Sequence, residues 1–446
     1  VDILINIKVL KEIKTVLSLN RYQWTIFLTA WLGWGFDVFD SLLFSYVAPN
    51  CVPTLLNLPI GSSEAKAATL FWTGLLTSIL LLGWAAGGIL FGALADRIGR
   101  SKTMILTILC FSFGTATCAV APNIASLIVS RVIASLGLGG EWAAGASLVA
   151  EVVPERSRVE AGALLYTSAP VGLTLATLVN LLVAGVLFKN NPEVSWRFVF
   201  VFGLLPAIFA FLLRYFVKEP ESWQKEANKP APSIKELFNR QNLPLTRCGF
   251  LTATVALLTW WTCNAFIPII SAGLAQTEAL NQGLDLVATQ ALIEKWKTIA
   301  SNSFNLGGLL GALLTVPLAK YWGRRKMLFL YFLLSGLSLI VTFGLDWSPY
   351  TRLYLYFPIG LTVFGVFGSF TYYLPELFPS RLRATGSGFC YNAGRVIAAG
   401  GPFLVGAIAS SGSNALHTAL GLQLWLAVVP LIGLFCMPWV IETKRY

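Results

Sequence analysis

The chain has 446 residues, 56% of them hydrophobic and only 12% charged, and its mean hydropathy of +0.70 lies far from the usage of a water-soluble domain. Seven scattered cysteines with no C-x-x-C pair, and a single histidine, exclude a disulfide framework and a zinc site. A net charge of +11 raises the question of a nucleic-acid partner, which its distribution along the chain answers.

In hydrocarbon every backbone N–H and C=O needs a partner within its own element, so long apolar runs are helices or closed barrels. These runs neither alternate nor stay short, as barrel strands do. Twelve of them have about 18 residues or more, enough to cross ~30 Å of hydrocarbon. They lie at 24–48, 70–94, 103–121, 125–150, 160–187, 197–217, 247–275, 298–319, 327–345, 353–374, 384–409 and 418–441. The first follows Lys8, Lys11, Lys14 and Arg21, as a signal peptide would, but it is too long and has no small-residue cleavage site. It reads as a retained helix behind an amphipathic lead-in, 1–23. Segments on the N-terminal side of the membrane carry roughly 23 Lys and Arg against about 4 on the other side, which places both termini in the cytoplasm. The basic charge is therefore a topology signal, and no nucleic acid is implied. The expected location is the plasma membrane, the inner membrane if the source is prokaryotic.

Charge inside a span costs about 2.5–3.5 kcal/mol on insertion scales and marks candidate function. Asp37 and Asp40 come first, three residues apart on one face of the first span. Two carboxylates so close disfavour simultaneous ionisation, so such a pair can carry a proton. Asp96, Arg97 and Arg100 follow at the cytoplasmic end of the second span, with Glu151 and Arg158 beyond the fourth; they suit a gate that holds the inner face shut. Arg131, in the fourth span, lies about 12 Å below its outer end at ~1.5 Å per residue, at the depth of the aspartates. Either aspartate can pair with it, as a switchable latch or as a static ion pair that fixes helix register. Glu141 follows Gly137, Gly139 and Gly140, which suit close helix packing; it is a second protonatable candidate or a structural hydrogen-bonding group.

Residues 218–246 interrupt the apolar pattern with charge and proline and read as a cytoplasmic linker between an N-terminal bundle, 1–217, and a C-terminal bundle, 247–446. Leu94-Ala-Asp-Arg-Ile-Gly-Arg-Ser-Lys102 recurs as Leu318-Ala-Lys-Tyr-Trp-Gly-Arg-Arg-Lys326 at an offset of 224. Glu151-Val-Val-Pro-Glu-Arg-Ser-Arg158 recurs as Glu376-Leu-Phe-Pro-Ser-Arg-Leu-Arg383 at 225. The fold class is thus all-α, polytopic, with 12 transmembrane helices in two six-helix bundles, and parallel repeats of this kind enclose a midplane cavity. Lys320 replaces Asp96 in the second copy, so the second gate is expected to be weaker.

In the second half Asn264, which matches Asp40 at the repeat offset, Asn302, Ser303, Asn305 and Tyr372 are polar candidates for a cavity wall or for helix association. Arg395 lies roughly 16 Å into the eleventh span at ~1.5 Å per residue, at midplane. Its fork suits a substrate carboxylate, or else backbone carbonyls or Glu141. Tyr391 and Asn392 share its face. Trp260 and Trp261 suit a ring-bearing or sugar-like solute, or helix packing. His417 reads as a solvated loop residue.

Gly92-Ala-Leu-Ala-Asp-Arg-Ile-Gly-Arg-Ser-Lys102 resembles the loop 2–3 signature of the major facilitator superfamily. Gly33-Trp-Gly-Phe-Asp-Val-Phe-Asp40, Gly137-Leu-Gly-Gly-Glu-Trp142, Lys218-Glu-Pro-Glu-Ser-Trp223, and Pro375 to Gly386 followed by Phe389 to Arg395, resemble the sialate:H+ symporter family and related organic-acid and metabolite symporters. The resemblance implies a symporter of a small organic anion and H+, working as a monomer in the bilayer without a cofactor, in which a first-helix acid and a fourth-helix arginine couple the proton. Asp37 or Asp40 and Arg131 occupy those positions. A facilitator or exchanger of a neutral or zwitterionic solute is the alternative, and a non-transporting receptor a weaker one. No G-x-x-x-x-G-K-[ST] loop for an ATP-driven pump occurs, and no enzyme is expected.

Overall fold

Prolines set most of the breaks in the spanning helices, and the breaks shape the centre of the molecule. The computed structural model describes residues 19–154, 157–208 and 233–443, without the side chains of 93, 95, 96, 100, 101, 140–152, 158 and 380. All regular structure among the described residues is helical.

The first span is α1 (Arg21–Ser41) with α2 (Leu43–Leu55). Then come α3 (Ser63–Ile98), α4 (Arg100–Cys118) and α5 (Ile124–Val152), one span each. The fifth joins α6 (Arg158–Tyr166), α7 (Ser168–Asn180) and a π-helical stretch, Leu181–Leu187. The sixth opens with α8 (Pro192–Val201). In the second half α9 (Leu243–Asn264) and α10 (Ile267–Asn281) form the seventh span, α11 (Leu286–Tyr321) the eighth and α12 (Arg324–Gly344) the ninth. The tenth is α13 (Pro349–Ile359), π-helical Gly360–Phe364 and α14 (Phe367–Leu377). The eleventh is α15 (Arg383–Ala398) with α16 (Gly400–Ser411), and the twelfth α17 (Ala415–Trp425) with α18 (Val428–Phe435). Eleven of the twelve segments read from hydropathy are found in the same order; of the sixth, 197–217, residues 209–217 lie outside the described residues. The eighth starts at Leu286 rather than at 298, because Asp285 caps the helix by accepting from the Ala288 N–H.

A proline lacks the N–H that would bond the carbonyl four residues back. Pro170, Pro268, Pro402 and Pro430 sit four residues after Tyr166, Asn264, Ala398 and Leu426, and α6, α9, α15 and α17 end at or beside those residues. The first span breaks differently. Arg131 of α5 donates through Nη2 to the Ser41 carbonyl at 3.0 Å, a side chain inserted into the helical ladder. Leu42 advanced by 224 is Phe266, so the two repeats break at matching points. Gly99 and Gly323, also 224 apart, hold φ +103° and +89° immediately before α4 and α12, a conformation that glycine adopts without steric cost.

The two halves meet where α3 crosses α16, and where α6 and α7 run against α14 and α11. A Cβ on Gly74 would lie 2.4 Å from the Pro402 carbonyl oxygen, so the first crossing is a backbone-to-backbone contact that only glycine permits. One turn on, Ser78 donates to the Ala399 carbonyl at 2.6 Å, at the break beside Pro402. The face from which the first span sets out is the terminal face; the other is the distal face. Of the linker, 218–232 lie outside the described residues. Ile234–Phe238 forms a 3-10 turn capped by Ser233 and Glu236, with Leu237 buried and Phe238 edge-on to Phe389 at 5.3 Å.

Candidate functional site

Asp37 and Asp40 lie on the inward face of α1, a turn apart, and neither is exposed. Asp40 Oδ2 stands 3.8 Å from Arg131 Nη1. At that separation it is a charge contact without a hydrogen bond; the guanidinium donates instead to the Ser41 carbonyl at 3.0 Å and to Thr115 Oγ1 at 3.4 Å. Of the two aspartates the sequence offered, Asp40 is therefore the one beside Arg131. Asp37 lies in the electrostatic field of Arg395 and Tyr391 on the other half.

Beside them is a narrow central cavity, walled on one side by Trp34, Val38 and Ser41 of α1, Trp84 of α3, Tyr166 of α6 and Ala169 of α7. Trp260 and Trp261 of α9, Phe364, Phe367 of α14, and Tyr391 and Arg395 of α15 make the opposing wall. The rings meet across the halves. Trp84 is edge-on to Trp261 at 5.7 Å, and Tyr166 stacks on Phe367 at 5.9 Å. Arg395 Cζ lies 4.2 Å from the centre of the Trp84 ring and 5.0 Å from that of Tyr391, which holds the guanidinium plane by cation–π attraction. Asn392 accepts from Arg395 Nη1 at 3.1 Å and donates to the Gly388 carbonyl. Arg395 Nε, Trp84 Nε1 and Trp260 Nε1 are buried donors without a protein acceptor. The wall thus combines aromatic rings with three unpaired N–H donors and one cation.

The remaining sequence candidates are dispersed. Tyr372 is not part of this wall. Its hydroxyl donates to the Thr315 carbonyl at 3.3 Å and its ring faces Arg324, because α14 turns that side chain toward α11 and α12. Asn264 and Asn305 are buried at the break of the seventh span and within α11, off the cavity lining. Asn302 accepts from Thr177 of α7 at 2.7 Å, tying the halves. Arg97 is exposed. The side chains of Asp96, Arg100, Glu141, Glu151 and Arg158 lie outside the described residues. The second-half loop has its own ties instead: Arg324 forks onto Glu376 at 2.8 and 3.1 Å, and Lys320, which stands where the first copy has Asp96, pairs across the halves with Glu160. The terminal face therefore has a cross-half ion pair that the sequence did not point to. Trp34, Trp84, Tyr166, Phe364 and Phe367 carried no sequence signal beyond being aromatic. Nor were Glu294 and Lys297 of α11, a fully buried pair at 2.8 Å, found by hydropathy, whose window opens just past them. Among the described residues no cluster of His, Cys, Asp and Glu is placed to hold a metal.

A model of the Major Facilitator Superfamily matches residues 30–293. The cis,cis-muconate transport protein of Acinetobacter baylyi is 30% identical over 89% of this chain and 90% of its own. The probable 4-methylmuconolactone transporter of Cupriavidus pinatubonensis is 29% identical over 86% and 83%, and the sialic acid transporter NanX of Escherichia coli 25% over 94% of each. Among solved structures, the xylose transporter XylE from E. coli, in a partially occluded inward open conformation, superposes with a TM-score of 0.69 over 96% of this chain and 100% of that one, at 16% identity.

Proposed function

The chain belongs to the major facilitator superfamily, and we propose that within it the protein is a proton-coupled symporter of a small planar organic anion, with both termini in the cytoplasm. The observation that carries this reading is Arg395, buried at the cavity between two aromatic rings with its Nε unpaired. A solute carboxylate completes that fork through charge-assisted hydrogen bonds, while Trp84, Trp260 and Tyr166 stack on a ring or conjugated chain.

Asp40 supplies the coupling. Ionised, it holds Arg131 of α5 to α1 at 3.8 Å. Protonated, it loses that charge attraction, so that Arg131 holds the first span only through its bond to the Ser41 carbonyl, and the two helices part more easily with the solute in the cavity. A monocarboxylate moving with one proton is electroneutral, so the membrane potential, worth ~2.3 kcal/mol per charge per 100 mV, does not oppose uptake. The names of the muconate and sialic acid transporters support the anion class.

Purified protein in liposomes, loaded with candidate acids under an imposed pH gradient with the potential clamped, tests the reading. Accumulation that follows the gradient supports it. Flux that is indifferent to the gradient makes the protein a facilitator.

A further inference from the structure

Glu294 and Lys297 of α11 are a buried ion pair that no part of the coupling mechanism uses. Neither is exposed by more than 1%, and each also reaches the other half of the molecule. Glu294 accepts from Asn180 Nδ2 of α7 at 2.5 Å, from Lys297 Nζ at 2.8 Å and from Gln290 Nε2 at 3.1 Å. Lys297 donates a second bond to the Tyr46 carbonyl of α2 at 2.7 Å. The first, fifth and eighth spans are thus tied at one level, in the distal part of the membrane. The same pair of spans is tied at the terminal face by Lys320 and Glu160.

We propose that Glu294 and Lys297 are the distal gate residues of the transport cycle. The inference rests on alternating access between the two halves but not on proton coupling or on the identity of the solute. Its physical basis is the partition of the four bonds. Those to Gln290 and between Glu294 and Lys297 lie within α11 and persist when the halves part. Those to Asn180 and Tyr46 cross the interface and are lost. Breaking up a buried ion pair is strongly unfavourable, whereas an intact pair that exchanges two dipolar partners for water is not. The gate therefore opens without stranding a charge, and closes on fixed geometry.

The test uses the full-length protein in lipid with spin labels on cysteines placed at Val120 and Leu286, exposed positions on the distal ends of the two halves, and a second pair at Arg97 and Tyr321 on the terminal face. Double electron–electron resonance reads the two separations. Asn180→Ala removes one cross-half bond. The double swap Glu294→Lys with Lys297→Glu keeps the intrahelical pair and the net charge but sets a carboxylate against the Tyr46 carbonyl. Each variant is expected to raise the distal-open over distal-closed ratio about tenfold, the loss of one charge-assisted hydrogen bond, with the terminal-face distance shortening in step. Unchanged distance distributions in the folded double swap, with only a lowered melting temperature, overturn the proposal, since a purely structural pair gives that result. Because distances are read without solute or pH gradient, failure of the symport reading leaves this outcome untouched.

Discussion

Asp40 and Arg131 face one another at 3.8 Å with exposures of 0% and 1%, and the arginine's stronger bond goes to the backbone carbonyl at the break in the first span, not to the carboxylate. A pair arranged in this way binds a proton without collapsing. Arg131 keeps Ser41 and Thr115 as partners when the charge on Asp40 is neutralised.

Asp40→Asn mimics the protonated state permanently. Accumulation driven by a pH gradient is expected to fall to the equilibrium level, while solute exchange under equal concentrations persists. In the parent protein the initial rate of uptake is expected to rise as the pH on the loading side falls, because protonation of Asp40 removes its attraction to Arg131, and this dependence is expected to be flat in the variant. Tracer flux and counterflow in liposomes across pH 5 to 8 separate the two.

Arg395→Lys keeps the charge but loses the fork and its seat between Trp84 and Tyr391. Binding of the anion is expected to weaken by about 1.5–3 kcal/mol, roughly tenfold to a hundredfold. Calorimetric titration of the detergent-solubilised protein checks it. An unchanged affinity removes Arg395 from the site.

Trp84→Leu retains an apolar wall and deletes a stacking surface and an unpaired donor. Affinity for ring-bearing acids is expected to drop by about 0.5–1.5 kcal/mol more than affinity for short aliphatic acids. Competition assays with a matched set of carboxylates show whether flatness is what the cavity selects.

Gly87→Ala strikes the packing of the second span on the fourth. The added Cβ would sit 2.0 Å from the Leu136 carbonyl oxygen, a rigid backbone atom that has no room to withdraw. Overpacking of this kind costs about 1–3 kcal/mol, visible as a lower melting temperature and lower yield. Gly92→Ala, where an added Cβ meets nothing within 4 Å, is the matched control and is expected to melt like the parent.

Hydropathy and the internal repeat made the twelve spans and their pairing legible, because both are local: a run of apolar residues must leave water wherever it packs. Scarcity did the same for Asp37, Asp40, Arg131 and Arg395, since each charge in an apolar span stands out against its neighbours. The same logic failed at the eighth span. Glu294 and Lys297 lower the hydropathy of its N-terminal half, and the start is marked by the Asp285 cap rather than by an apolar run.

What the sequence determined by itself was the set of elements: twelve apolar spans, two related halves and a few charges within the spans. The tertiary structure alone decided which aspartate meets Arg131, that Trp84 and Tyr166 join rings from the other half while Tyr372 turns away, and that Lys297 reaches the Tyr46 carbonyl 251 residues away. The physical reason is that the side a helix presents to the cavity follows from its crossing angle and rotation against neighbours distant in the chain, and no spacing along one helix records them.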